Sequence, residues 1–211
     1  EIAHFAEISG MSIYETLKKL KDAGLGSLPG GGAEVFSTDV RKELCPEKLS
    51  GEEWLNTMRT AHNLGMRSNA TMLYGHIESH EDRTNHLLKL RELQDETGGF
   101  MSFIPLAFHP KNTDLKDFSS TAGMLDLKML AIGRLMLDNF DHIKAFWIMI
   151  GIKLAQISLS FGVDDIDGTV AEERITHSAG AETPEALTVD EIKSLIEETG
   201  REPVERDTLY N

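Results

Sequence analysis

Apolar and polar side chains alternate along residues 67–74, which lie between two glycines. This alternation of apolar and β-branched residues with polar ones predicts a short buried strand. Beyond it, leucines recur at helical spacing over residues 86–93, behind the acidic pair Glu81 and Asp82, which predicts a helix. The segment therefore predicts a strand, a tight polar turn and a helix. In α/β proteins such a turn lies at the carboxyl end of the sheet, where ligands bind.

The same two spacings predict further strands and helices on both sides of this segment. The predicted helices are two segments interrupted at Ser9-Gly10, a partly helical link over Val40–Leu49, and helices over Trp54–Leu64, Leu125–Leu137, Lys153–Phe161 and Thr188–Glu198. The predicted strands are a short one before Pro29, then Phe100–Phe108, Lys144–Ile150 and Val163–Gly168. Capping boxes at Ser12, Ser50 and Thr188 predict three of the helix starts. Pro105 indicates an irregularity in its strand, because proline lacks the N–H that a strand ladder needs.

Counting these units gives about five strands, each but the last followed by a helix. Regular alternation of strand and helix predicts a parallel sheet whose strand ends share one rim. Five strands do not close the usual eight-stranded barrel, so either the sheet stays open or three leading units are absent. The expected fold is α/β, a partial (β/α) TIM-type barrel of about five parallel strands with flanking helices and a C-terminal helical extension. We assign residues 1–175 to the partial barrel and residues 176–211 to the extension packed on it.

Composition narrows the classes of partner. The 35 acidic and 21 basic side chains give a formal charge of −14, which disfavours nucleic acid and anionic membrane surfaces. The longest apolar runs fall far short of the roughly 20 residues that span a bilayer. Cys45 is the single cysteine, so it provides no internal disulfide and cannot by itself hold an iron–sulfur cluster or structural zinc. We expect a cytoplasmic protein with a small-molecule ligand, and no nucleic-acid or membrane partner.

A glycine-rich loop, residues 29–34, follows the first short predicted strand. Gly31 and Gly32 can adopt backbone angles closed to other residues and allow the chain to approach a ligand closely. Glu34 comes next, and its carboxylate can accept two hydroxyl hydrogen bonds, as sugar recognition requires. No Gly-Lys-Ser/Thr follows, so the loop does not match a phosphate-binding P-loop. The alternative is a flexible loop without a ligand.

Four stretches of sequence together are similar to a known family. They are Leu-Gly-Ser-Leu-Pro-Gly-Gly-Gly-Ala-Glu at 25–34, Tyr-Gly-His-Ile-Glu at 74–78, Arg-Glu-Leu-Gln-Asp-Glu-Thr-Gly-Gly-Phe at 91–100 and Ile-Pro-Leu-Ala-Phe-His-Pro at 104–110. As a set they resemble the radical S-adenosylmethionine enzymes of the futalosine route to menaquinone. Asp-Gly-Thr at 167–169, Thr-His-Ser-Ala-Gly-Ala at 176–181 and Arg-Asp-Thr-Leu-Tyr-Asn at 206–211 are most similar to the branch that forms 6-amino-6-deoxyfutalosine.

The resemblance implies a radical S-adenosylmethionine barrel whose [4Fe–4S] cluster is held by a Cys-x3-Cys-x2-Cys loop near its N-terminus. This chain has no such loop, and we expect Cys45 to be a packed or surface thiol rather than a cluster ligand. The chain therefore resembles the back part of such an enzyme. We expect S-adenosylmethionine and a [4Fe–4S] cluster as cofactors of the complete enzyme, with the cluster ligands outside this chain, and no cofactor cleavage by the chain alone.

The resemblance also implies a reaction and a cofactor site. In that branch the 5′-deoxyadenosyl radical adds to 3-[(1-carboxyvinyl)oxy]benzoate, and carbon dioxide is lost. Glu34 is expected to bind the ribose hydroxyls, with Gly31 and Gly32 beside it. The remaining candidate adenosyl contacts are Tyr74 as a stacking surface, Gly75, His76 and Glu78 in the turn, and Pro105 and Leu106 in the adenine pocket.

That substrate carries two carboxylates, so hydrogen-bond donors facing the barrel interior are candidate substrate-binding residues. The candidates are Arg67, Asn69, Thr71, His76 and His109. The alternative for each is local: solvation of Arg67, backbone hydrogen bonds for Asn69 and Thr71, and loop capping for His109. No metal site is predicted, because the histidines at 76, 80 and 86 lack a common ligand spacing. His177 lies in a family-like stretch and has no assigned role.

Two other functions remain open from sequence. One is the sister radical cyclase acting on dehypoxanthine futalosine, which shares the glycine loop and the 93–100 stretch. The other is a non-catalytic half-barrel that self-associates through exposed sheet edges. The adenosyl hypothesis requires that Glu34 and the turn at 74–78 lie at the same end of the sheet.

Overall fold

The structure of the chain, a computed structural model, describes residues 1–170, 178, 183–184 and 186–211. The strands are β1 (Ser27–Leu28), β2 (Arg67–Tyr74), β3 (Phe100–Ala107) and β4 (His142–Ile143). The described helices are α1 (Ile2–Ser9), α2 (Ile13–Asp22), α3 (Thr38–Leu44), α4 (Gly51–Asn63), α5 (His80–Thr97), α6 (Gly123–Met136), α7 (Trp147–Ile150), α8 (Ile152–Ser158) and α9 (Val189–Glu197), with a 3₁₀ helix over Leu159–Phe161.

The four strands form one parallel sheet in the order β1-β2-β3-β4. The β2–β3 pair is the longest, running from Ser68 opposite Phe100 to Tyr74 opposite Ala107. A single parallel bridge between Lys144 and Asp165 continues the sheet beyond β4. The predicted α/β class with parallel strands and flanking helices is confirmed. The prediction of a fifth strand over 163–168 is wrong, since only this bridge forms there.

The predicted strand over 144–150 is also wrong. The strand β4 precedes it, and residues 147–150 form the short helix α7. Short apolar runs do not distinguish a buried strand from a buried helical turn, and neighbouring contacts decide between them. Here the Trp147 indole donates to the Gly168 carbonyl at 3.0 Å, which holds α7 against the segment after the bridge.

Polar side chains begin the helices where the sequence predicts. The capping boxes at Ser12, Ser50 and Thr188 are present, and Ser79 with Asp82 forms another at the start of α5. Each box satisfies backbone N–H groups that a helix start leaves unpaired. The link after Val40 is more regular than predicted, because α3 fills its first half.

The two faces of the sheet differ in their surroundings. Tyr74 donates to Asp126 of α6 at 2.8 Å, and Ser68 lies 2.9 Å from the His62 ring of α4, so even-numbered positions of β2 face the helices. Because strand side chains alternate, odd-numbered positions face the opposite side. We call that side the inner face; β2 and β3 contribute Arg67, Asn69, Thr71, Leu73, Ser102, Ile104 and Leu106 to it. The helix-facing positions of β2 are fully buried, whereas most inner positions are partly exposed.

Pro105 lies in β3, between two neighbouring strands. The Phe103 carbonyl accepts a hydrogen bond from the Lys144 N–H, just after β4. In a strand, the backbone groups of every second residue point to the same neighbouring strand. Pro105 therefore faces the β4 side, past the last registered pair, Phe103 opposite Ile143. The missing N–H falls where the ladder has already ended, which agrees with the rule for proline in strands.

The C-terminal segment contacts the rest of the chain at several places. Gln156 of α8 donates to the Leu195 carbonyl of α9 at 3.0 Å, and Arg206 and Tyr210 both reach Asp165. The domain boundary at 175/176 stays a prediction, since residues 171–177 lie outside the described ranges. Among the residues that the structure describes, none of the helices combines the length and the apolar character that crossing a bilayer requires.

Candidate functional site

The glycine loop lies against the carboxyl end of β2. The Leu73 N–H donates to the Glu34 carbonyl at 2.9 Å, and the Thr71 hydroxyl donates to the Gly30 carbonyl at 2.8 Å. The expectation that Glu34 and the turn at 74–78 lie at the same end of the sheet is therefore confirmed. Gly30 is required at this contact, because its φ is +78° and an added Cβ would lie 2.1 Å from the Asn69 carbonyl oxygen.

Two side chains that the sequence analysis missed hold the loop. The buried Arg41 guanidinium donates to the carbonyls of Ala33 at 2.5 Å and Val35 at 3.2 Å, and also to Leu49. The Trp54 indole donates to the Gly31 carbonyl at 3.0 Å. These bonds anchor the loop to α3 and α4, which favours an ordered loop over the flexible alternative. Nothing local in the sequence indicates that Arg41 is buried or that its partners are carbonyl groups.

Glu34 stands at the rim with a partly exposed carboxylate. Its Oε1 accepts from the Lys48 ammonium at 2.8 Å, and its side chain is 15% exposed. Its backbone has a φ of +43°, an uncommon angle for a residue with a side chain. Burial lowers the pKa of Lys48, but the bond to Glu34 more than offsets this, so the pKa is raised overall. Hydroxyl groups of a ligand can replace the Lys48 ammonium as hydrogen-bond donors to the Glu34 carboxylate.

Glu78 organises the turn after β2. Its fully buried carboxylate accepts from the Gly75 N–H at 2.6 Å, the His76 N–H at 2.8 Å and Arg83 of α5 at 2.6 and 2.7 Å. With those bonds made, Glu78 fixes the shape of the turn. Gly75 itself has a φ of +91°, and a Cβ there would lie 2.2 Å from the Thr121 methyl.

Tyr74 and His76 are both directed into the protein. The Tyr74 ring is fully buried on the helix side, where burial and the adjoining Asp126 carboxylate raise the pKa of its hydroxyl. The structure therefore does not offer this ring to a ligand on the inner face. The His76 Nε2 lies 3.0 Å from the Leu73 carbonyl, and its Nδ1 lies 3.0 Å from Glu78 without a hydrogen bond among the described residues. Burial lowers the pKa of the His76 ring, although the nearby carboxylates of Glu78 and Glu34 act in the opposite direction.

The other predicted adenosyl and substrate contacts divide between the two faces. Pro105 is buried on the helix side, whereas Leu106 is partly exposed on the inner face beside Leu73. On that face Asn69 accepts from Ser102 at 2.9 Å. His109 lies off the sheet, and its ring nitrogen is 2.9 Å from the Met149 carbonyl.

Thr71 and Arg67 lie on the inner face at different distances from the rim. The Thr71 hydroxyl donates to the Gly30 carbonyl, so Thr71 stabilises the glycine loop at the rim. Arg67, at the start of β2, lies further from the rim and is partly exposed. Of the predicted substrate contacts, Arg67, Asn69 and Thr71 therefore share one face, and His109 does not belong to it. His177 lies outside the described residues.

A group of charged and polar residues at the far side of the inner face was not predicted from sequence. We call it the inner cluster; its members are Lys144, Asp165, Asp167, Arg206 and Tyr210. Asp165 accepts from Arg206 at 2.7 and 2.9 Å and from the Tyr210 hydroxyl at 2.5 Å. Lys144 lies 3.2 Å from Asp167. Lys144 interrupts the apolar run of residues 143–147, and a lone cation in such a run is the signal that sequence offers.

Metal-binding capacity can be judged from side-chain placement. Among the described residues no three His, Cys, Asp or Glu side chains are placed to share a metal ion. Cys45 is buried at the end of α3, and burial raises the pKa of its thiol, which disfavours the thiolate that a metal needs. A three-thiolate cluster therefore does not fit this chain, whose sequence has one cysteine.

The family model of the CofH/MqnC C-terminal region matches residues 97–211. Since this match spans more than half of the chain, the chain belongs to that family. Aminodeoxyfutalosine synthase of Thermus thermophilus is 54% identical over the whole chain, which corresponds to 58% of that protein. The synthase of Streptomyces coelicolor is 46% identical over the whole chain and 57% of its own length. These relatives confirm the resemblance found in the sequence.

A relative with another name is nearly as similar. The 5-amino-6-(D-ribitylamino)uracil–L-tyrosine 4-hydroxyphenyl transferase of Methanococcoides burtonii is 44% identical over the whole chain and 61% of its own length. The chain thus spans about three-fifths of the curated relatives it matches. Methylornithine synthase has a similar fold, with a TM-score of 0.68 and 20% identity over 92% of this chain and 57% of that chain. The expected fold, part of a (β/α) barrel, is confirmed by this likeness.

Proposed function

We propose that this chain is the carboxyl-terminal part of a radical S-adenosylmethionine enzyme of menaquinone biosynthesis. When bound, S-adenosylmethionine and a [4Fe–4S] cluster held outside this chain would supply a 5′-deoxyadenosyl radical for addition to 3-[(1-carboxyvinyl)oxy]benzoate, giving 6-amino-6-deoxyfutalosine and carbon dioxide. The family membership and the 54% identity to the Thermus thermophilus synthase support this assignment.

The observation that carries the proposal is the contact between Glu34 and β2. The hydrogen bond from Leu73 places a partly exposed carboxylate beside the turn at 75–78, at the carboxyl end of a parallel sheet. An adenosyl group needs a hydrogen-bond acceptor for its ribose and nearby backbone for its base. Added Cβ atoms at Gly31 and Gly32 would meet no described atom within 4 Å, so there is room beside Glu34.

In this proposal the chain's own residues bind and orient the adenosyl group and the substrate. Glu34 would accept the ribose hydroxyls, and the backbone of 75–78, held by Glu78, would border the adenine with Leu106. Asn69 and Arg67 would donate to substrate on the inner face. The cluster ligands lie outside this chain, so the chain alone would not cleave S-adenosylmethionine. A cytoplasmic location and self-association through open sheet edges remain part of the proposal.

A second candidate is the transferase reaction named for the Methanococcoides burtonii relative, since that protein also matches the whole chain. The names of the two relatives imply different substrates, so the reaction of the complete protein decides between them. The test is anaerobic incubation of the complete protein, reconstituted with iron and sulfide, with S-adenosylmethionine and each substrate set.

We expect the mass of 6-amino-6-deoxyfutalosine from 3-[(1-carboxyvinyl)oxy]benzoate, and no coupled product from tyrosine with 5-amino-6-(D-ribitylamino)uracil. The reverse result would assign the transferase reaction. Turnover of dehypoxanthine futalosine would assign the sister cyclase. No turnover of any of them by an iron-loaded protein would contradict the enzymatic proposal and favour a non-catalytic, self-associating barrel segment.

A further inference from the structure

Lys144 is a buried cation on the inner face of the sheet. Ser102 pairs with His142 and Phe103 with Ile143, so Lys144 continues the row of inner positions that includes Ser102. Only 7% of Lys144 is exposed. Lysine is rarely buried to this degree without a role for its charge.

Within the described part of the chain, the partners of Lys144 leave its ammonium group incompletely satisfied. An ammonium has three donors. Among the described residues its one hydrogen bond is to Asp167, at 3.2 Å, and Asp165 lies 3.8 Å away. Asp167 has a φ of +67°, an uncommon backbone angle that places its side chain beside Lys144.

The C-terminal tail, residues 206–211, explains why Asp165 does not form a close hydrogen bond with Lys144. Arg206 and Tyr210 bind the same carboxylate oxygen of Asp165 at 2.7 and 2.5 Å, closer than Lys144 approaches it. Burial alone would raise the pKa of Asp165, but Lys144, the Tyr210 hydroxyl and Arg206 together hold it below its ordinary value. Asp165 therefore stays ionised and satisfied by the tail.

The tail is itself fixed in place. The Tyr210 ring stacks on His142 with centroids 4.1 Å apart, and the Arg206 guanidinium lies 4.5 Å from the same ring. Asp165, Asp167, Arg206 and Tyr210 line a cavity of about 810 Å³, and Lys144 lies next to them without lining it. The inner cluster is formally neutral, with two cations and two carboxylates, and can accept an anion at Lys144 without leaving a carboxylate unpaired.

We propose that Lys144 binds one carboxylate of the dianionic substrate, and that Asp167, which accepts its hydrogen bond, and Asp165, held by Arg206 and Tyr210, together position Lys144 for this contact. The inference rests on the proposed function, since it assigns a residue to that substrate. Lys144 is the binding residue, and Asp165 and the tail act through it. A charge-assisted hydrogen bond to a buried ammonium discriminates between an anionic and a neutral ligand group.

The test measures ligand binding by the complete protein with three unreactive compounds. They are 3-(1-carboxyethoxy)benzoate, which keeps both carboxylates, and 3-ethoxybenzoate and 2-phenoxypropanoate, which each lack one. Lys144→Met is expected to weaken binding of the dianion about 10- to 100-fold. It should weaken one monoanion similarly and leave the other unchanged, because Lys144 contacts only one carboxylate.

Lys144→Arg should restore most of the affinity for the dianion, and Asp165→Asn should give a smaller loss with the same preference between the monoanions. Lys153→Met, at an exposed position of α8, is the matched control and should bind all three ligands like the wild type. Thermal unfolding of each variant checks that it is folded at the temperature of the titration.

An equal loss for all three ligands, or no loss at all, overturns the inference while leaving the proposed function standing if the wild type forms product. Failure of the wild-type protein to bind the dianion contradicts the proposed substrate itself, and the inference with it.

Discussion

Two buried histidines, His62 and His86, join helices to the sheet. The His86 ring stacks on Phe36 at 3.9 Å, and its Nε2 lies 3.0 Å from the Thr71 carbonyl. The His62 ring lies between hydroxyls of Thr97 and Ser68. Burial lowers the pKa of His62 to about 4 and, against the opposing Thr71 contact, the pKa of His86 to about 3. Both side chains are neutral in the folded protein at neutral pH.

This neutrality predicts loss of stability in mild acid. The unfolded chain binds protons at these histidines near pH 6.5, whereas the folded protein does not until about pH 4 or 3. Their stabilising contribution is therefore complete above pH 6.5 and lost as the pH falls. We expect the free energy of unfolding in urea to decrease between pH 7 and pH 5, approaching about 1.4 kcal/mol per pH unit for each histidine.

Substituting His86→Phe should flatten this slope, because the ring still stacks on Phe36 but no longer titrates. The control is His80→Gln at the exposed start of α5, which should keep the wild-type slope. A slope unchanged by His86→Phe would show that His86 is not held neutral by the fold.

Sequence predicted the rim position of Glu34 but not the direction of neighbouring side chains. Alternation along β2 separates Tyr74 from Thr71, yet the face that the helices cover is decided by packing in three dimensions. Tyr74 was therefore predicted as a ligand surface and lies under α6, while Glu78 proved to be the bond acceptor that shapes its turn. Lys144 was missed because its partners, Asp165 and Asp167, lie more than 20 residues along the chain, and Asp165 is held in turn by a tail more than 60 residues away.

At the scale of elements, the glycine loop and β2 form one unit. Arg41 and Trp54 hold the loop from α3 and α4, and Thr71 holds it from the strand. A loop fixed by several buried hydrogen bonds loses little entropy when a ligand binds it, which favours recognition.

Gly30→Ala should disrupt this unit. The added Cβ would lie 2.1 Å from the Asn69 carbonyl oxygen, and the φ of +78° is unfavourable for alanine. We expect a loss of roughly 2 kcal/mol or more in the free energy of unfolding, measured by urea titration. Gly31→Ala is the matched control, since a Cβ there meets no described atom within 4 Å, and it should stay within about 0.5 kcal/mol of the wild type. Equal effects of the two substitutions would contradict the close packing of loop on strand.

Sequence predicted helix starts better than strand ends. Capping boxes are local, so Ser12, Ser50 and Thr188 could be identified from side chains three residues apart. The short strands are set by their neighbours instead: β4 pairs over only two residues, and its apolar continuation folds into α7 against Gly168. No local pattern distinguishes these outcomes.

For the whole molecule, the structure gives one side of a barrel-like sheet with an open inner face and a polar rim. The rim is formed by the glycine loop and the turn at 75–78, and the floor includes the C-terminal tail bound at Asp165. From sequence, the tail was identified only as a family-like stretch within the predicted extension, yet it supplies two of the five residues in the inner cluster. A short peptide of this kind gives no periodic pattern from which its contacts could be predicted.

The most direct measurement is equilibrium dialysis of 5′-deoxyadenosine against the complete protein, comparing the wild type with Glu34→Gln. We expect Glu34→Gln to weaken binding about tenfold, because the ribose hydroxyls lose a charged acceptor. Glu47→Gln, the same change at a nearby exposed position, should bind like the wild type. Equal affinity of the wild type and Glu34→Gln would contradict an adenosyl site at this rim.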